Sequence, residues 1–245
     1  MIFWVIGFAA VGSVGAVLGS ALVLVFPQQV RRTILPFLLS YATGTLLGAA
    51  FLGMIPNAIV LAPASTVCAA VLGGVVLFFV LETLLLWRHS HDPDFATRGA
   101  AGPLILVGDS FHNLADGLVI ASAFLISIPL GIAASLAVVA HEVPQEVGDF
   151  AILLDHGYPP WRAFVYNLLS AAMTLPGAIA GYFWLETTRQ ALPYVLAFSA
   201  ASFLYIAIAD LVPRLHRGIG FGHHLCQFAL LVAGIGTISL FRMAQ

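Results

Sequence analysis

Two polar runs in an otherwise apolar chain carry the residue types that bind cations. The first is His112-Asn113-Leu114-Ala115-Asp116-Gly117, preceded by Asp109. At 3.6 residues per helical turn, Asp109, His112, Asn113 and Asp116 share one face. The second run is His141-Glu142-Val143-Pro144-Gln145-Glu146-Val147-Gly148-Asp149. There His141 and Gln145 lie one turn apart, as do Glu142 and Glu146, and Asp149 extends the stripe of His141 and Gln145. Pro144 removes one backbone hydrogen bond and bends the helix, freeing a carbonyl among these side chains. Imidazole nitrogens with carboxylate and amide oxygens suit Zn²⁺ and other borderline divalent cations. A bound cation would also neutralise the carboxylates. Thiolates are absent from both runs, which favours exchangeable binding over a tight structural zinc site. Cys68 and Cys226 lie in apolar stretches with no metal or redox spacing and read as packing residues.

The elements that must position these runs are membrane spans. Of 245 residues, 61% are hydrophobic and 8% charged, against about 45–50% and about 25% in soluble domains. Nine Lys+Arg, all of them Arg, face eleven Asp+Glu; this near balance argues against nucleic-acid binding. Apolar stretches able to cross a hydrocarbon core of ~30 Å cover 2–26, 34–57, 66–87, 102–125, 129–154, 161–184, 191–212 and 222–241. The first lacks the basic region of a signal peptide and is too long for one, so it is kept as a span. The expectation is an all-α polytopic protein with eight transmembrane helices in a single domain.

Loop charge sets the orientation. With eight spans and an outside N-terminus, Arg31, Arg32, Arg88, Arg98, Arg162, Arg214 and Arg217 fall on one side, and Arg189 and Arg242 on the other. The positive-inside bias places both termini away from the cytoplasm. Spans 1–3 and 6–8 then run in opposite senses around spans 4 and 5. This 3+2+3 arrangement with inverted repeats recurs in transporters, with a site near the midplane. Gly15/Gly19, Gly44/Gly48 and Gly177/Gly181 have the spacing that lets helices approach closely; the plain frequency of Gly in membrane helices explains them equally well.

Seven of the eleven acids lie within these spans: Glu82, Asp109, Asp116, Glu142, Glu146, Asp149 and Asp210. Each costs about 2.5–3.5 kcal/mol at the bilayer centre on insertion scales. A lone intramembrane polar residue is usually an interhelical hydrogen-bonding residue. Two histidines with several acids on two stripes are too costly for packing alone. The runs sit at similar distances either side of the turn Ser127-Ile128-Pro129, so their polar faces can converge at one depth. Other residues carry weaker signals. Asp109, Asp149 and Asp210 are pathway candidates, and Met54 is either a thioether ligand or apolar packing. Glu82 reads as a snorkelling residue. His89, His91, Asp92 and Asp94 read as a solvated loop, and His223 and His224 as interfacial.

With these residues in view, the chain resembles the ZIP (Zrt/Irt-like) metal transporters. His112-Asn113-x-x-Asp116-Gly117 is similar to that family's HNxxDG signature. His141 to Phe150 is similar to the HExPHExGDF signature of its LIV-1 branch, with Ala151-Ile152-Leu153-Leu154 continuing the likeness. The resemblance implies a binuclear site between spans 4 and 5. Its main site would use His112, Asp116, His141 and position 145; Asn113 and Glu142 would help form an adjoining site sharing Asp116. It implies zinc, and also iron, manganese or cadmium, as substrate moved towards the cytoplasm. Position 145 is Gln where the branch has His. Thr174 stands where some bacterial members place a carboxylate, and the His-rich loop of many eukaryotic members is reduced to His89-Ser90-His91. A compact bacterial-type member in the inner membrane, with no extracellular domain, is the expectation. Its expected partners are divalent cations, the lipid bilayer and a second copy in a homodimer.

The expected function is therefore import of a divalent cation by alternating access, with spans 1, 4, 5 and 6 moving against the others, and no enzymatic activity. One rival is a zinc-dependent intramembrane hydrolase using a His-Glu pair; it lacks the second His of H-E-x-x-H, because position 145 is Gln. Another is a proton-coupled carrier of an organic solute, which gives no reason for two histidines beside the acids.

Overall fold

The computed structural model describes residues 1–90, 101–155, 157–215 and 221–243. Among them, helix is the dominant element and no strand occurs. Eight rods follow one another: α1 Ile2–Val25, α2 Gln28–Leu61, α3 Ala64–Ser90, α4 Ala101–Ile126, α5 Ile128–Asp155, α6 Pro160–Thr187, α7 Arg189–Leu215 and α8 Phe221–Met243. The helices include the expected spans almost entirely and extend a few residues past most of their ends. Seven rods are long and apolar enough to cross a membrane. The eighth, α4, is long enough, but Asp109, His112, Asn113 and Asp116 lower its hydropathy.

The rods form two groups. Helix α4 packs on α5 and α6, and α1 closes against α5 and α6; separately, α8 packs on α2, and α3 and α2 pack on α7. The groups meet mainly along α2–α5, with α4–α7 and α5–α8 as smaller contacts. The pairing α4–α6 with α5–α1, and α3–α7 with α8–α2, is the one an inverted repeat of three helices around a central pair produces. Local irregularities follow the same relation. Helices α2 and α7 each widen into a π-turn, at Ala49–Met54 and Ile206–Leu211. Helices α1 and α6 are each irregular midway, at Val11–Gly15 and at Ala172–Met173.

Close approach depends on small residues. A Cβ on Gly117 of α4 would strike the Thr174 carbonyl of α6, and one on Gly177 of α6 would strike the Leu114 carbonyl of α4. Gly44 meets the Leu231 backbone and Gly48 meets Ile238, both on α8. Gly19 and Gly181 face Val143 and Leu118. Gly15 faces only its own helix, through Val11. Five of the six glycines expected from spacing thus sit at helix contacts, the basis on which backbones pack where no hydrophobic effect drives association.

Gly177→Ala should therefore destabilise the fold by about 1–3 kcal/mol or more, the range for overpacking, whereas Gly15→Ala should leave it unchanged. Thermal unfolding of detergent-purified protein measures both; equal melting temperatures for the two variants would contradict this packing.

Candidate metal centre

The hairpin of α4 and α5 builds the centre. Only Ser127 separates the two helices, and its hydroxyl accepts a hydrogen bond from the Leu130 N–H at 3.2 Å, capping α5. The tight reversal sets the His112 and His141 turns side by side. Pro144 lies inside α5 and leaves the Ala140 carbonyl without its helical donor.

Four side chains converge: His112, Asp116, His141 and Glu142 each offer a ligand atom, all within 4.8 Å of one another. His112 Nε2 lies 3.3 Å from His141 Nε2 and 3.2 Å from Glu142 Oε1. His141 Nε2 lies 3.3 Å from Asp116 Oδ2 and 3.5 Å from Glu142 Oε1. His112 Nε2 to Asp116 Oδ2 is 3.9 Å. Donors held about 2.0–2.1 Å from a tetrahedral ion stand about 3.3–3.4 Å apart, so these separations are close to the edges of a zinc tetrahedron. The ring orientation of His141 fits the same use. Its Nδ1 is 2.8 Å from the Ala137 carbonyl, which can only accept; Nδ1 therefore carries the proton, and a neutral ring offers the lone pair of Nε2 to the site. The edge of the ring meets Phe203 of α7, with centroids 5.9 Å apart. His141, Asp116 and Glu142 are buried, and His112, 22% exposed, is the member open to an entering ion.

A second group adjoins the first. Asp109, Glu142 and Glu146 also bring ligand oxygens within 4.8 Å of one another, and all three are buried. Glu142 belongs to both groups. Neither carboxylate oxygen of Asp116, Glu142 or Glu146, nor Asp109 Oδ2, has a hydrogen-bond partner.

The two amides expected as ligands also make hydrogen bonds beside these groups. Asn113 donates through Nδ2 to Asp109 Oδ1 at 3.1 Å, and its Oδ1 accepts from Thr174 Oγ1 at 3.0 Å. Gln145 donates through Nε2 to Asp109 Oδ1 at 3.3 Å. Both amides thus orient Asp109, and Glu142, which the resemblance implied for the adjoining site, stands with His112, Asp116 and His141. Met54, on α2, is fully buried in the apolar core. Asp149 is partly buried further along α5. The side chains of Asp210 and Glu82, and residues 91–100 with His91, Asp92 and Asp94, lie outside the described residues. Sequence reasoning missed two supports. The Ala137 carbonyl was findable, being four residues before His141 on a helix. Phe203 was not, because nothing in the chain signals which ring of α7 meets α5.

Fold and site together define an all-α polytopic membrane protein with a buried histidine–carboxylate centre on a helical hairpin. Comparison with known proteins agrees. A family model described as "ZIP Zinc transporter" matches residues 87–242, a stretch that includes both polar runs. Zinc transporter ZIP10 of Homo sapiens is 38% identical over 166 residues, covering 61% of this chain and 20% of its own length. Zinc transporter ZIP10 of Danio rerio is 38% identical over 144 residues, 56% of this chain and 17% of its own. Zinc transporter ZIP13 of Pongo abelii is 32% identical over 229 residues, 84% of this chain and 66% of its own. The chain belongs to the ZIP zinc transporter family. It spans a fifth or less of the two ZIP10 relatives and about two thirds of the ZIP13 relative.

The geometry separates two ligand sets. Glu142→Gln should raise the Zn²⁺ dissociation constant by at least the ~10–100-fold that outer-shell partners cost, while Gln145→Ala should raise it less than about tenfold. Competition titration with a chromophoric chelator reads both; a larger effect at Gln145 than at Glu142 would put position 145 among the direct ligands.

Proposed function

We propose that this protein carries divalent cations, zinc foremost, across a membrane and towards the cytoplasm. One observation carries the reading: the near-tetrahedral spacing of His112, Asp116, His141 and Glu142 deep in a helical bundle. All four ligands come from α4 and α5, within one helix group. Alternating access follows if α1, α4, α5 and α6 move as a body past α2, α3, α7 and α8 with the ion aboard. The ion enters beside His112, the exposed ligand, and is held by the four donors. Glu142 then passes it to the Asp109–Glu142–Glu146 group, so its charge is matched at each stop. Asn113 and Gln145 serve by holding Asp109 in place. Asp149 continues the acidic path along α5, and Asp210 is a further pathway residue proposed from its sequence position.

Zinc is favoured by two imidazoles and two carboxylates at tetrahedral spacing. Fe²⁺, Mn²⁺ and Cd²⁺ are further substrates on the same donor chemistry, with Mn²⁺ weakest on nitrogen ligands. The loop arginines orient both termini away from the cytoplasm. The short connection between α3 and α4 is the ground for a bacterial-type member in a cell membrane; the animal relatives named above neither supply nor support that assignment. A homodimer is the proposed assembly. Hydrolysis gains no observation in its favour, since Gln145, at the position of the missing second His, is bonded to Asp109.

Zinc influx into proteoliposomes tests the proposal. Wild type should give saturable influx, and Asp116→Ala and His141→Ala should abolish it while eluting as folded protein. Wild-type influx in both variants would overturn the site, and no influx in wild type under an imposed zinc gradient would overturn the function. Competition by Fe²⁺, Mn²⁺ and Cd²⁺ in the same assay ranks them.

A further inference from the structure

A groove of about 460 Å³ runs between the start of α2, the end of α1 and the far side of α5. Its walls are apolar: Leu24, Leu35, Leu39, Val147, Ala151 and Leu154. Its mouth is not, being formed by Gln28, Arg31 and Arg32. Among the described residues neither arginine forms an ion pair, and Arg31 Nε is buried with no hydrogen-bond partner. The mouth lies at the first turn of α2, where the helix dipole and free N–H groups add to the positive potential. Apolar walls below a cationic mouth, at the end of the bundle where the helices turn, match a molecule with an anionic head and a hydrocarbon tail.

We propose that this groove is a binding site for an anionic phospholipid. The phosphate is held by Arg31, Arg32 and Gln28, and an acyl chain lies along Leu35, Leu39, Val147 and Leu154. Basic pockets between membrane helices recognise such head groups because the charge is met at the surface, where anionic lipids concentrate. The position gives the lipid a consequence. One wall belongs to α2 and the other to α5, so the molecule seats at the junction of the two helix groups. Pro144 and Gly148 line the groove and flank Gln145 and Glu146 on the same helix, so an occupant would brace the segment that carries the α5 ligands. The inference rests on the groove and its charges, not on the transport reading.

Native mass spectrometry of detergent-purified protein with equal amounts of phosphatidylglycerol and phosphatidylcholine tests it. Wild type should retain phosphatidylglycerol preferentially, and Arg31→Gln/Arg32→Gln should reduce that preference by roughly ten- to thirtyfold. A second variant leaves the charges in place. A Cβ at Gly148 meets nothing within 4 Å, so Gly148→Leu has open space to enter at the groove wall and should also abolish the preference. Preference retained in Gly148→Leu but lost in the arginine variant would mean general attraction to a basic surface and overturn the site. Preference retained in both would overturn it as well. Displacement of the lipid by glycerophosphate alone would show an anion site with no role for the chain, and would likewise overturn the proposal.

Discussion

A cluster of buried acids with no lysine or arginine beside it among the described residues is the constraint on which this structure depends. Asp109, Asp116, Glu142 and Glu146 are buried together, with seven of their eight carboxylate oxygens lacking a hydrogen-bond partner. The chain has no lysine, and no arginine pairs with these acids among the described residues. Each carboxylate is costly at bilayer depth, and neighbouring like charges raise that cost. That cost is relieved by a proton or by a bound cation. Zinc is suited to the part, because the two histidines beside the acids supply neutral nitrogen donors that a proton or an alkali cation does not require.

A site of this kind is useful only if its donors are held apart at the right distance while empty of help from one another. Several features far from the charges serve that end. The one-residue turn at Ser127 fixes the register of α4 against α5. The Ala137 carbonyl fixes the tautomer of His141. Gly117 and Gly177 let α4 and α6 approach until Thr174 reaches Asn113, which in turn steadies Asp109. Repulsion between the acids would otherwise spread the two helices, so the hydrogen bonds to Asp109 and the close packing at the glycines act against the same force.

Much of this was legible in the chain. Composition and apolar runs were enough for eight helices, seven of which have the length and hydropathy of a span. The helical period placed the two polar faces, and the short turn placed them at one depth. What escaped was the assignment of each side chain within the cluster. Residues 141, 142 and 145 lie within about a turn of one another on α5, so spacing brings all three near α4 without deciding which two face His112. That choice depends on how the helix faces its neighbours and on the partners each side chain finds; Gln145 and Asn113 both donate to Asp109. The π-turns were invisible for a related reason. They alter the twist of α2 and α7 by a residue or so, which apolar sequence absorbs without any change in pattern.

The placement of every ligand on one hairpin also bears on how an ion can leave. Ligands shared between the two helix groups would be pulled apart by relative motion, and release would be driven by breaking coordination. Here all four donors belong to α4 and α5, while α7 contributes the ring of Phe203, an apolar cover. Motion between the groups would leave coordination intact and change what lies over it, replacing an apolar lid by water. Water is the stronger competitor for the ion when the donors include neutral imidazoles and no thiolate. A site of this composition can therefore be tight while covered and labile once wetted, and its selectivity and its release need not be set by the same residues.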